Sequence, residues 1–369
     1  MKIEIIDNWN DLASLESDWN TLLEQSTNNS IFQTWEWTQA WKGTIEEIYK
    51  PLIFVCRDAS GELAGVAAFY VCNYKLAKFI PFKVLRSFGE PHSGLDYPGL
   101  IVRRKSPDVI QLLLRALSEN SQRWDAIWLP MTRTWGEYHP QLMEQLEASK
   151  LFSVFQRPCM FTYRELSNSV DEVMSTLSKS KRTILKRTEN KIKKNHDAEI
   201  HLQSDGDALV EQMETLFKLH ELRWRSAGEP GAFIRRPKLR EFYEAFVPVA
   251  KEKGWLRLHV LSLDGKPCAA QIGYRYGDTY YSVQEGFDPD AIAGSGNHLR
   301  IKVMLACAEE GISEYDFLAG PSEHKRSWGG VERQGSDILI YNANIKCKIA
   351  LLGKCWPGGR ALQEQPLIR

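Results

Sequence analysis

The apolar positions of the chain recur in one rhythm, stated twice. Leu52 to Cys56 and Leu63 to Tyr70 are runs of apolar and small residues separated by the polar segment Arg57 to Glu62, which predicts strand, turn, strand. The pattern returns as Leu256 to Leu263, the turn Asp264-Gly265-Lys266-Pro267 and the run Cys268 to Tyr274, with Gly265 lying 204 residues beyond Gly61. After each hairpin the apolar spacing changes to that of an amphipathic helix, over Pro107 to Gln122 and then Asn297 to Glu310. After each helix a strand opens on an aromatic-Asp pair, Trp124-Asp125 and Tyr315-Asp316. Two hairpin-helix-strand series in one order predict duplicated domains, placed at 1–165 and 166–369. A length of 369 residues suits two domains of ordinary size.

Between the two series lies Asp171 to Asn195, which reads as one helix with Val173, Leu177, Ile184, Leu185 and Ile192 as its apolar positions. Its other face is basic. Lys179, Lys181, Arg182, Lys186, Arg187, Lys191, Lys193 and Lys194 stand against Glu189 alone, although the whole chain balances 47 basic against 47 acidic residues. That balance removes any overall attraction to nucleic acid or acidic lipid and leaves only a local field. The next predicted helix, Asp207 to Arg225, carries the stripe Leu209, Met213, Leu216, Phe217, His220 and Trp224, where His220 reads as a residue of the core edge.

Composition excludes several classes. With 43% hydrophobic and 25% charged residues the chain is of globular type, neither disordered nor coiled coil. Its apolar runs are too short for a transmembrane segment, and Met1 to Ile6 alternates as a strand does, so a cytoplasmic protein is expected. Seven cysteines, odd in number and without a C-x-x-C, predict structural thiols in a reducing compartment. The eight histidines show no ligand spacing, so no metal is expected.

The strongest chemical signal is Gly294-Ser295-Gly296, followed by Asn297 and His298 at the opening of a helix. Glycines let backbone N–H groups approach an anion, and the helix N-terminus adds partial positive charge, which suits a pyrophosphate. No Lys-Ser or Lys-Thr follows to make an NTPase loop, and no parallel-strand series surrounds it, so coenzyme A fits better than ATP or NAD.

Further landmarks are Ile31-Phe32-Gln33-Thr34-Trp35-Glu36-Trp37, Lys181-Arg182 with its basic helix, Tyr315-Asp316-Phe317-Leu318-Ala319-Gly320, and Lys325-Arg326-Ser327-Trp328-Gly329-Gly330. In this order, and over most of its length, the chain resembles the GNAT acyltransferases of the tandem branch. That branch contains the cellulose-biosynthesis (CelD-type) acetyltransferases and the Fem-type peptidoglycan aminoacyltransferases. The resemblance implies a mixed α/β fold of two tandem GNAT-like domains, each a mixed β-sheet flanked by helices, with acyl donor and acceptor meeting on the second. Arg103-Arg104-Lys105-Ser106-Pro107 precedes the first-domain helix without a glycine turn, so that domain is expected to lack a donor site.

Acyl transfer needs a base for the nucleophile, a polarised thioester carbonyl and a proton for the leaving thiolate. By position, Glu285 is the candidate base, Lys325 the cation at the carbonyl oxygen and Tyr281 the acid. Asp316 has a counterpart in Asp125 of the first domain, which points to a structural hydrogen-bonding role beside the catalytic one. Gly294, Ser295, Gly296, Asn297 and His298 are the candidate coenzyme-binding residues. The resemblance then implies an acetyl-CoA-dependent N- or O-acyltransferase acting on an amino sugar or envelope-polysaccharide precursor, a saccharide or other small-molecule acceptor. Two alternatives stay open: a Fem-type transferase using aminoacyl-tRNA, and a non-catalytic module binding an anionic polymer. Trp35, Trp37, Trp41, Trp224 and Trp328 are candidate platforms for sugar rings, with core packing as the other reading.

Overall fold

The computed structural model describes residues 1–167, 169–353, 355–357 and 362–364. The chain divides into two compact units, Met1–Cys159 with Gln334–Arg369, and Met160–Arg333. Both are mixed α/β, with helices against a mixed sheet. The sequence division at 165/166 runs the second domain to the C-terminus, whereas the described residues from Gln334 onward belong to the first unit.

The first unit builds its sheet from Lys2–Ile6, Lys50–Arg57, Leu63–Leu76, Ile80–Ser87 and Ala126–Arg133, with Gly335–Tyr341 pairing antiparallel to the last. Ile80–Ser87 and Ala126–Arg133 run parallel through Val84–Arg86 and Ala126–Trp128, and their other neighbours are antiparallel. The helix Pro107–Glu119 covers this sheet with Val109, Ile110, Leu113, Leu114 and Leu117, the i, i+3, i+4 stripe that its sequence spacing demands.

The second unit repeats the plan. Ala198–His201, Leu256–Leu263, Lys266–Tyr276 and Thr279–Phe287 follow one another antiparallel. Glu314–Ala319 then pairs parallel to the last of these and antiparallel to Phe161–Glu165. Asp264 and Gly265 both have positive φ, 51° and 75°, which makes the two-residue turn whose twist matches an antiparallel hairpin. In each unit the final sheet position is filled by a strand that lies outside the repeated series, Gly335–Tyr341 in the first and Phe161–Glu165 in the second. This is why the first unit is built from two separate segments of the sequence, whereas the second is one block.

Two helix readings change. The basic stretch is two helices, Val170–Ser175 and Lys179–Asn195, because the Ser178 hydroxyl caps the second by accepting from the Lys181 amide. The break is held by Arg182, whose guanidinium donates to the Ser175 and Leu177 carbonyls. Only Leu185, Thr188 and Ile192 of the second helix are buried, and Ile184 is exposed. The helix expected from Asn297 starts at Ser295, with Gly294 as its N-cap at φ 92°.

Candidate functional site

The parallel strands Thr279–Phe287 and Glu314–Ala319 pair only through Thr279–Tyr281 and Glu314–Asp316. Beyond that point they diverge. On the Glu285 limb, the register against the neighbouring strand shifts between Ile272 and Gly273, so Val283 is the extra residue of a bulge. At the fork the Tyr315 hydroxyl donates to Ser282 Oγ at 3.2 Å and accepts from Gln271 Nε2, which also reaches the Tyr280 hydroxyl. Burial pushes the Tyr315 phenol up to about 12, so this network stays neutral at physiological pH.

On the other limb, Asp316 is buried, with Oδ1 accepting from the Leu318 amide at 2.8 Å and Oδ2 from Arg333 at 3.0 Å. It holds Leu318 at φ 64° and shapes the bend of the strand end. Asp125 of the first unit likewise receives the Lys83 amide, Asn344 and Lys346, so both aspartates act on backbone and cations of their own unit. Lys325 sends Nζ to the carbonyls of Leu318 at 3.1 Å and Ala319 at 2.7 Å, carbonyls released from sheet pairing by the divergence. Its ammonium therefore anchors the strand end. Tyr281 is buried as the last paired residue before the fork.

The helix Ser295–Glu309 begins beside the diverged limb. Its turn is tightly fitted: a Cβ on Gly294 would lie 2.9 Å from Thr188 Oγ1 of the basic helix, and one on Gly296 would lie 3.0 Å from the Phe287 ring. The Ser295 amide is taken by the Ile292 carbonyl and the His298 amide by Gly294. The amides of Gly296 and Asn297, between them, have no partner among the described residues, as first-turn amides do not unless capped. His298 is buried, and burial holds its imidazole below its ordinary value.

A cavity of about 280 Å³ joins these parts, lined by Gly294, Gly296, Asn297, Glu285, Arg223 and Arg300. Glu285 enters it between two guanidiniums. Arg223 donates to Oε1 at 2.6 Å, and Arg300 donates to Oε2. Arg300 also gives a hydrogen bond to His324 Nδ1 at 3.0 Å. Partial burial and then the cations Arg300, Lys181, Arg223 and Lys325 depress the His324 imidazole to about 3, so it is neutral and can accept. Lys181 sits 3.8 Å over the Trp328 ring, and burial followed by Arg300 lowers its amine to about 8.

Of the residues singled out in the sequence, the structure brings Glu285, Gly294, Gly296 and Asn297 into one cavity and leaves Lys325 and Asp316 tied to the diverged limb. Trp35, Trp37, Trp41 and Trp328 are buried, which removes them as open platforms, and Trp224 is half-buried. His220 is fully buried, deeper than a core edge. Arg223, Arg300 and His324 were not signalled. Arg300 lies one helical turn after Gly296, a spacing that points its side chain back toward the helix opening. Among the described residues no cluster of His, Cys, Asp or Glu is placed to hold a metal ion, and no helix is long and apolar enough to cross a membrane. All seven cysteines are free.

Residues 179–326 match the family model described as an acetyltransferase (GNAT) domain, so the second unit carries a GNAT-superfamily domain. No curated protein matches the chain in sequence. Among solved structures the chain is similar to FemX, with a TM-score of 0.67 and 13% identity over 95% of this chain and 99% of that one. It is also similar to a tandem GNAT protein from the clavulanic acid biosynthesis pathway, at TM-score 0.50 and 10% identity over 93% of this chain and 99% of that one. A conserved protein of unknown function from Bacteroides thetaiotaomicron gives 0.52 and 13% over 92% of this chain and 100% of that one. At such identities these likenesses are of fold alone.

Proposed function

We propose that the second unit is an acyl-CoA-dependent N- or O-acyltransferase, using acetyl-CoA or a similar thioester. The observation that carries this reading is the strand fork opening beside a helix N-terminus whose Gly296 and Asn297 amides are unengaged. Two adjacent N–H groups at the positive end of a helix suit the donor's diphosphate. A fork between parallel strands turns the Glu285 limb toward an extended amide-bearing chain, while Asp316 and Lys325 engage the backbone of the other limb. Gly296, Asn297 and Glu285 line one cavity, which supports this reading.

In this reading the acceptor amine or hydroxyl attacks the thioester carbon as its proton passes to Glu285. The C–N or C–O bond forms, the C–S bond breaks, and the thiolate takes a proton from Tyr281, which regains one from solvent. The acceptor is proposed to be an amino sugar or envelope-polysaccharide precursor, as the sequence resemblance implies. Lys325 is assigned to holding the diverged strand end, because its ammonium is spent on two carbonyls.

A second reading, a donor of the aminoacyl-tRNA kind, is favoured by the exposed Lys179, Lys186, Arg187, Lys191 and Lys194 on one helix. Calorimetric titration separates the two. The first expects saturable acetyl-CoA binding that falls more than about tenfold in Gly296→Val with the fold retained. The second expects tRNA to bind and acetyl-CoA not to.

A further inference from the structure

The charges around Glu285 do not balance. Two guanidiniums face one carboxylate, and His324 adds no compensating charge. The Arg300 side chain is only 7% exposed, and its Nε has no hydrogen-bond partner although its other nitrogens are engaged. A buried guanidinium with an idle N–H is costly unless something completes it. Burial drives Arg300 down to about 10, which still leaves it charged at neutral pH. The adjoining space of about 280 Å³ exceeds what a single water needs and admits a small polar group.

We propose that Arg300 and Arg223 are the receptor for an oxyanion, a carboxylate or phosphate, carried by the acyl acceptor near its nucleophile. The acceptor is then an acidic amine or alcohol rather than a neutral one. Calling the ligand the acceptor rests on the function proposed above; the oxyanion site does not. A planar guanidinium suits carboxylate and phosphate alike, since both accept two parallel N–H bonds.

The site has a second consequence for Glu285. The carboxylate is held between two cations, each donating to one of its oxygens. An incoming oxyanion in the adjoining cavity competes with Glu285 for the guanidiniums of Arg223 and Arg300. Acceptor binding thus frees the base at the moment it is needed.

The test uses the full-length protein without donor, titrated with glucosamine, glucosamine 6-phosphate and 2-amino-2-deoxyglucuronate. At least one acidic probe is expected to bind about tenfold or more tightly than glucosamine, and whichever does so identifies the oxyanion. Arg223→Gln, at the less buried of the two arginines, should abolish that advantage while acetyl-CoA affinity stays within about threefold. Arg300→Gln should do the same if it folds. Equal binding of acidic and neutral probes overturns the proposal. So does an Arg223→Gln protein that loses acetyl-CoA affinity and keeps the preference, since the cations would then serve the donor. If wild type binds no acetyl-CoA at all, the acyltransferase reading fails by itself, and the donor-free titration still decides the oxyanion site.

Discussion

Gly294 opens its helix directly against Thr188, with only 2.9 Å between the threonine hydroxyl and the place a Cβ would occupy. This contact fixes the basic helix beside the amides assigned to the donor. Two separate constraints meet at the glycine, a φ of 92° and the lack of space.

Gly294→Ala should therefore destabilise the protein, with about 1–2 kcal/mol from the backbone conformation alone. The steric part can be removed separately. Thr188→Ala in the same chain should recover some of the loss but never all of it, because φ is unchanged. Denaturant unfolding of the double-mutant cycle measures both parts, and full recovery would show that backbone strain contributes nothing.

Lys325 gives the second prediction. Lys325→Met strands the Leu318 and Ala319 carbonyls and should cost about 1–3 kcal/mol of unfolding free energy. Lys325→Arg should recover part of it. A loss of turnover near 10²-fold without loss of stability would instead place the ammonium at the acyl oxygen in the transition state.

The contrast between Glu285 and Lys325 shows where sequence reading reaches its limit. Hairpins, helices and the aromatic-Asp strands were legible because their apolar periods match the faces they bury, as Val109, Leu113 and Leu117 do. Gly294 was legible because a glycine ahead of a helix has few other uses. The roles of Lys325, Arg223 and Arg300 were not. Each depends on which carbonyl or carboxylate the fold brings near, and such pairings span 62 residues for Arg223 and Glu285. The strand that completes the second unit's sheet was hidden for the same reason, since Phe161–Glu165 carries no local mark of pairing with Glu314–Ala319. The break at Ser178 was a local signal that an overlong helix assignment overrode.

The third prediction concerns acid stability. Burial lowers both His220 and His259 from 6.5 to about 4. Between those values the unfolded chain binds protons that the folded chain does not, so stability is present above about pH 6.5 and is lost as pH falls toward 4. Unfolding free energy should decline over that window. His220→Leu should flatten the decline, although its own stability at pH 7 depends on how well leucine fills the site against Gly231 and Phe233. An unchanged pH slope in that variant would rule out His220 as a contributor.

The last prediction is that each chain binds one coenzyme, in the second unit. The corresponding helix of the first unit, Pro107–Glu119, has proline at its opening, which removes one of the amides an anion would use. Its N-cap is Ser106 at φ −123°, where the second unit has Gly294 at φ 92°, and a Cβ on Gly65 would lie 2.4 Å from a Val109 methyl, so that helix packs hard on its sheet. The strand end there is engaged, as Leu318 is in the second unit. Past the paired residues Val84–Arg86 and Ala126–Trp128, the Met131 carbonyl is taken by the amide of buried Tyr97, and its own amide donates to Asp337. Titration with acetyl-CoA should give a stoichiometry of one per chain, abolished together with activity by changes at Gly296 and untouched by changes at Ser106. Two equivalent sites per chain would return the first unit to catalytic candidacy.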